Sequence, residues 1–213
     1  MLQHEENAAI AYGMGMTAEK VAEQWKVSRE DQDEFALTSH QRAIKAAASG
    51  EFKDEIAPYT IDEKRPDLIT HTVREAIAVK DTDEGPRADT SLDALAKLRP
   101  VSAAKGSVTA GNSSQMSDGA GAVVLMSEAA LKRFNLMPLG RFVGFSVAGV
   151  PPEIMGVGPI KAIPKVLQQT GIKQDDLDWI ELNEAFAAQS LAVIRDLNLD
   201  RNKVNPLGGA IAL

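Results

Sequence analysis

Residues 177–197 read LDWIELNEAFAAQSLAVIRDL, and this stretch decides the fold class. The run 179–182, WIEL, has the apolar weight of a strand, and the alanine-rich stretch after it has the composition of a helix. Phe186, Ala187, Ala188, Leu191, Ala192, Val193, Ile194 and Leu197 leave that helix little polar face. The pattern predicts burial on most sides, as for a helix held between two sheets. On this reading the strand ends near Leu182, the helix spans 184–196 and Asn183 caps its N-terminus. A cap there is surrounded by free backbone N–H groups and the positive end of the helix dipole, both of which favour an anion. On spacing alone, a purely structural cap is the commoner role for such an amide, and Glu184 in the first turn complements the same dipole.

Working outward, the second half of the chain alternates. GAVVLMS (121–127) reads as a buried strand, EAALKRF (128–134) as a helix, GRFVGFSVAG (140–149) as a strand and GPIKAIPKVLQQTG (158–171) as a helix. Strand and helix in turn are the signature of a layered α/β domain. The first half has a different texture, helical and charged. Ser28 followed by Asp31 makes a capping-box start and Gly50 a left-handed stop, so one long helix is predicted over 29–48. Shorter helices are predicted over 17–25 and 91–98, and residues 58–90, rich in Pro, Asp, Glu, Lys and Thr, read as exposed loops and edge strands.

Composition narrows the function classes. The 213 residues carry 23 basic and 30 acidic side chains, a net charge of −7, with the two signs interspersed. That balance favours solubility and gives no basic stripe for nucleic acid. The longest apolar runs fall far short of the ~20 residues a membrane span needs. With no signal peptide at its start, the chain is expected to be cytoplasmic. The chain has no cysteine, which excludes a disulfide framework, a thiolate metal site and a cysteine nucleophile within these residues. His4, His40 and His71 stand alone, without a partner pattern or metal spacing, and surface or packing roles are expected for all three. The glycine-rich stretch TAGNSSQMSDGAGA (109–122) lacks the lysine of a phosphate loop, though its small residues let a thin ligand chain approach the backbone.

Taken together, VTAGNSSQMSDGAGAVVLMS (108–127), AGVPPEIMGVGPIKAIPKVL (148–167), LNEAFAAQ (182–189) and the closing NPLGGAIAL (205–213) resemble the thiolase family, in particular the 3-ketoacyl-CoA thiolases. The resemblance reaches back through MGMTAEKVA, SREDQDEFALTSHQRA and FKDEI to SLDALAKLRP. It implies an α/β, layered αβαβα thiolase-like fold, here incomplete, with an inserted, mainly helical loop domain. The expected division is a loop domain that covers coenzyme A (1–106), the closing strand and helix of the first thiolase domain (107–138) and an incomplete second domain (139–213).

The activity implied is acyl transfer between coenzyme A and a cysteine. A 3-ketoacyl-CoA is cleaved to acetyl-CoA and a shortened acyl-CoA, or the reverse condensation is run. The family's nucleophilic cysteine is expected to precede these residues, and its Gly-His-Pro histidine and acid/base cysteine to follow them. Asn183 matches the asparagine that, through a water and with that histidine, stabilises the enolate oxygen. Ala185 and Phe186 match the acyl pocket, and Met14, Ala110, Ser114 and Met116 match positions along the pantetheine arm. Arg87 matches an arginine at the adenine end. Gly13 stands where short-chain members often carry histidine, which tilts the resemblance toward broader chain length, and Ala94 replaces a serine that contacts coenzyme A in some members. The resemblance implies acyl-CoA and CoA as substrates, no permanently bound cofactor, no metal, and a homodimer or dimer of dimers. The condensing enzymes of fatty-acid synthesis are the more distant alternative. A non-catalytic coenzyme A-binding or structural segment is the alternative of another class.

Overall fold

The computed structural model of the chain describes residues 11–213. Helix α1 spans Met14–Gln24 and α2 spans Arg29–Ser49. The termini of α2 lie where its sequence predicts them. Ser28 Oγ accepts the N–H of Asp31 while the Asp31 carboxylate accepts the N–H of Ser28, and the helix stops at Gly50 with φ of 83°. The reciprocal cap satisfies two orphan donors, and glycine takes the left-handed stop without steric cost.

Strand β1, Tyr59–Asp67, pairs antiparallel with β2, Thr72–Lys80, in a register that sets Tyr59 opposite Lys80 and Asp67 opposite Thr72. The loop-rich region therefore does hold edge strands, and their side chains are mostly exposed. Helix α3, Leu92–Ala96, starts at Ser91, whose hydroxyl accepts the N–H of Ala94. Helices α4, Glu128–Phe134, α5, Gly158–Thr170, and α6, Ala187–Asp196, follow.

The core forms where α6 packs against α1 and α2. Phe35 and Ala36 of α2 meet Ala188, Leu191 and Ile194 of α6, closed by Leu95, Leu199, Val204 and Ile211. Every residue of α6 from 187 to 194 is buried, as its composition predicts. Its cover differs from the expectation: α1, α2 and the 3₁₀ turn Pro152–Val157 supply it, rather than two sheets. Truncating a side chain such as Leu191 to alanine costs roughly 2–5 kcal/mol in a core of this kind.

Two local expectations are corrected. Helix α6 begins at Ala187 with Phe186 as N-cap, so Asn183 is not the cap. Residues 183–186 are drawn out by other partners: Glu184 is pulled into a buried hydrogen-bond cluster, and Ser113 and Ser114 pair with Phe186 and Ala185. The runs 121–127, 140–149 and 178–183 are not ladder strands among the described residues; the last makes a single parallel bridge, Ile180 with Val204. A strand persists only where a neighbour takes its N–H and C=O groups. None of the described residues pairs with 121–127, and Val123, Val124 and Leu125 are more than 80% exposed. No described helix is long and apolar enough to cross a membrane.

Candidate functional site

Polar staples from the first two helices place the site. The Glu19 carboxylate of α1 accepts the backbone N–H groups of Ser107 and Val108. Asp33 of α2 accepts from Asn112 Nδ2 at 3.0 Å, and Arg29 donates to the carbonyls of Leu95 and Leu98. Thr109 and Asn112 then lock the turn between them with a second capping box. These bonds set the segment 107–115 beside α2 and α3. Ionised partners make such bonds about twice as strong as neutral ones.

Between these elements lies a cavity of about 470 Å³. Its walls include His40 of α2, Arg87, Ala94 of α3, Ala110, Ser113 and Ile211. A second, small apolar pocket of about 30 Å³ gathers Met14, Val21, Met155, Ala185, Phe186 and Gln189. One antiparallel contact joins the two: Ser113 of the cavity bridges Phe186 of the pocket, and the Ser114 N–H donates to the Ala185 carbonyl at 3.0 Å.

The residues singled out from sequence therefore divide. Arg87 and Ala110 line the cavity, while Met14, Ala185 and Phe186 line the pocket. Ser114 sits on the joint. Met116 projects into solvent, fully exposed, and touches neither space. Asn183 has an exposed side chain and lines neither. Its carbonyl accepts from Gln189 Nε2 at 2.8 Å, which fixes its backbone against α6. On one side, Leu182 exchanges two 2.7 Å bonds with the Asn205 side chain, and on the other the Glu184 carboxylate accepts from Ser39 and Asn205. The amide of Asn183 is thus presented outward from a backbone held on both flanks. His4 lies outside the described residues, and His71 sits exposed at the hairpin turn between β1 and β2.

Two groups of chemical interest were not legible as such in the sequence. Glu184 is a buried carboxylate at 1% exposure. It accepts from Ser39 Oγ at 2.6 Å, Asn205 Nδ2 at 2.9 Å and the Ile211 N–H at 3.3 Å. His40 is buried in the cavity wall and accepts the Arg87 N–H. Burial, followed by the Arg87 cation, holds its pKa below the ordinary imidazole range, with Asp89 opposing. The available signal was periodicity: Ser39 and His40 lie on the α2 stripe that carries Phe35, Ala36 and Ala43. Among the described residues no cluster of His, Asp and Glu could hold a metal ion.

The thiolase N-terminal domain model matches residues 2–129, and the thiolase C-terminal domain model matches residues 136–213. The chain belongs to the thiolase family. It is 52% identical to a 3-ketoacyl-CoA thiolase of Bacillus subtilis over 202 residues, 94% of this chain and 51% of that protein. It is 47% identical over 207 residues to an acetyl-CoA acetyltransferase of Shinella zoogloeoides, covering 97% of this chain and 50% of the relative. The crystal structure of the dimeric peroxisomal thiolase of Saccharomyces cerevisiae matches with a TM-score of 0.87 at 46% identity, covering all of this chain and 51% of that one. The fold is therefore the thiolase fold, and these residues span about half the length of the relatives they match.

Proposed function

We propose that this thiolase chain takes part in acyl transfer from a 3-ketoacyl-CoA to coenzyme A, with acetyl-CoA and a shortened acyl-CoA as products, or in the reverse condensation. The observation that carries the reading is the joined pair of spaces. A thin, partly polar chain laid along Ala110, Ser113 and Ser114 reaches the apolar pocket at Ala185, Phe186 and Met14 across a single backbone pairing. Pantetheine ending in an acyl group has that order of polarity. Arg87 at the cavity wall suits an anionic phosphate or the face of adenine.

In the reaction a thiolate adds to the 3-carbonyl carbon, and the bond between carbons 2 and 3 breaks. Its electron pair passes into the enolate of the departing acetyl-CoA, which takes a proton at carbon 2 from an acid. The thiol of coenzyme A, giving its proton to a base, then attacks the acyl thioester left behind and expels the first thiolate, forming the shortened acyl-CoA. These residues hold no cysteine, so the thiolate and the acid come from elsewhere in the complete enzyme. The thiolase resemblance gives Asn183 the role of acting on the enolate oxygen through a water, and its exposed amide on a backbone held by Gln189 suits that role. The domain division at 106 and 138, a homodimer or dimer of dimers, and a cytoplasmic setting belong to the same reading. A dimeric relative supports the assembly, and the interspersed charge supports a soluble protein.

Calorimetric titration of coenzyme A into the 213-residue protein and into its Arg87→Ala variant tests the site. Weaker binding with unchanged thermal stability is expected from the variant. Equal affinity would place Arg87 on the solvated surface. Loss of acetoacetyl-CoA absorbance in the presence of coenzyme A, followed with an enzyme of full thiolase length, tests the activity.

A further inference from the structure

His40 forms part of the cavity wall, yet the thiolase resemblance gives it no role. It is 5% exposed on α2, and its Nδ1 accepts the backbone N–H of Arg87 at 3.2 Å. A ring nitrogen accepts only while it carries no proton, so the contact requires a neutral imidazole with its proton on Nε2. The segment 84–90 that carries Arg87 is tied at its start, where Glu84 pairs with Lys80 and Gly85 packs so close to Ala212 and Gln115 that a Cβ has no room. His40 ties its middle.

We propose that His40 is a positioning residue for coenzyme A: the neutral ring holds the Arg87 segment against the cavity, and protonation of the ring releases it. The proposal rests on the reading of this cavity as the coenzyme A site. A proton on Nδ1 would set two donors face to face at the distance where one bond now exists. The charged side chains at this cavity, Glu84, Arg87 and Asp89, are all on the held segment. The other walls, including Ala94 and Leu95 of α3, Ala110, Ser113 and Ile211, do not titrate. The release therefore depends on the ring and on the segment it holds. The depressed pKa of His40 agrees with a site that favours the neutral ring.

His40→Asn keeps an acceptor near the Nδ1 position that does not titrate, and His40→Ala removes it. Binding of coenzyme A is measured by calorimetry from pH 8 to pH 5.5. At pH 8 the alanine variant should bind about 3- to 10-fold more weakly than wild type, the span of one lost hydrogen bond, and the asparagine variant should stay close to wild type. On acidification wild type should lose affinity more steeply than His40→Asn. The comparison cancels titration of the coenzyme A phosphate, which both proteins share. Alanine binding as tightly as wild type, or parallel pH profiles for wild type and asparagine, would overturn the proposal. If wild type does not bind coenzyme A at all, the coenzyme A reading fails. The hold on the segment is then decided by the Arg87 amide: its hydrogen-exchange protection should drop on acidification in wild type and persist in His40→Asn, and identical behaviour would overturn the hold.

Discussion

Ser39 Oγ donates a 2.6 Å hydrogen bond to Oε2 of Glu184, joining α2 to the segment before α6 across 145 residues of chain. Both side chains are buried, and the same carboxylate also accepts from Asn205 and from the Ile211 N–H. Removing one donor from a buried carboxylate leaves part of its desolvation uncompensated. Ser39→Ala should lower the unfolding free energy by about 1.5–3 kcal/mol, the range for hydrogen bonds to charged groups. Urea denaturation checks this through a lower midpoint at constant slope. A change within about 0.5 kcal/mol would mean that water or another donor replaces the hydroxyl.

The turn that closes over Glu184 has no room for side chains. Gly208 has φ of 89°, and a Cβ there would lie 2.8 Å from the backbone nitrogen of Ala43 and the carbonyl oxygen of Ser39. Backbone atoms cannot swing aside as a flexible side chain can. Gly208→Ala should therefore destabilise the chain by more than the roughly 1–2 kcal/mol of the left-handed conformation alone. A thermal midpoint within a degree of wild type would show that the turn rearranges freely.

The long helix α2 and its caps were legible in the sequence because they are local: Ser28, Asp31 and Gly50 act within one turn of the ends they set. The burial of α6 was legible for the same reason, since composition alone leaves it no polar face. The start of α6 was not. Asn183 and Glu184 resemble a cap and a first turn, but Ser39 and Asn205 draw Glu184 out and Ser113 pairs with Phe186, so the helix starts later. The apolar run at 121–127 carries strand propensity that tertiary pairing alone can realise, and no described residue pairs with it. The α2 stripe marks His40 for burial, but its contact stayed hidden because its partner, the Arg87 N–H, is a backbone group that sequence does not mark.

Asn183 allows a separation of binding from chemistry. Its side chain is exposed and stands outside both cavities, so its loss should disturb neither the core nor the spaces proposed for the ligand. In an enzyme of full thiolase length, Asn183→Ala should lower kcat by about 10²–10³-fold, the usual loss for one oxyanion donor, with little change in KM. A raised KM at unchanged kcat would reassign the amide to ground-state binding.

The same buried ring that holds Arg87 sets a pH dependence of stability whose sign follows from its environment. Burial and the Arg87 cation depress the pKa of His40 in the folded chain. The unfolded chain therefore takes up this proton at higher pH than the folded chain does. The stabilising contribution of the neutral ring is fully present above the ordinary imidazole pKa, about 6.5, and is lost as pH falls through the lower folded value. Asp31, beside Arg195, shifts in the same direction but titrates in the carboxylate range. Its effect belongs to a more acidic window, below about pH 4. Between about pH 7 and pH 5, wild type should lose stability relative to His40→Asn, which carries no proton to take up at this position. Chemical denaturation of both proteins across that window provides the measurement. A stability difference that stays constant with pH would show that folding does not disfavour the proton on His40.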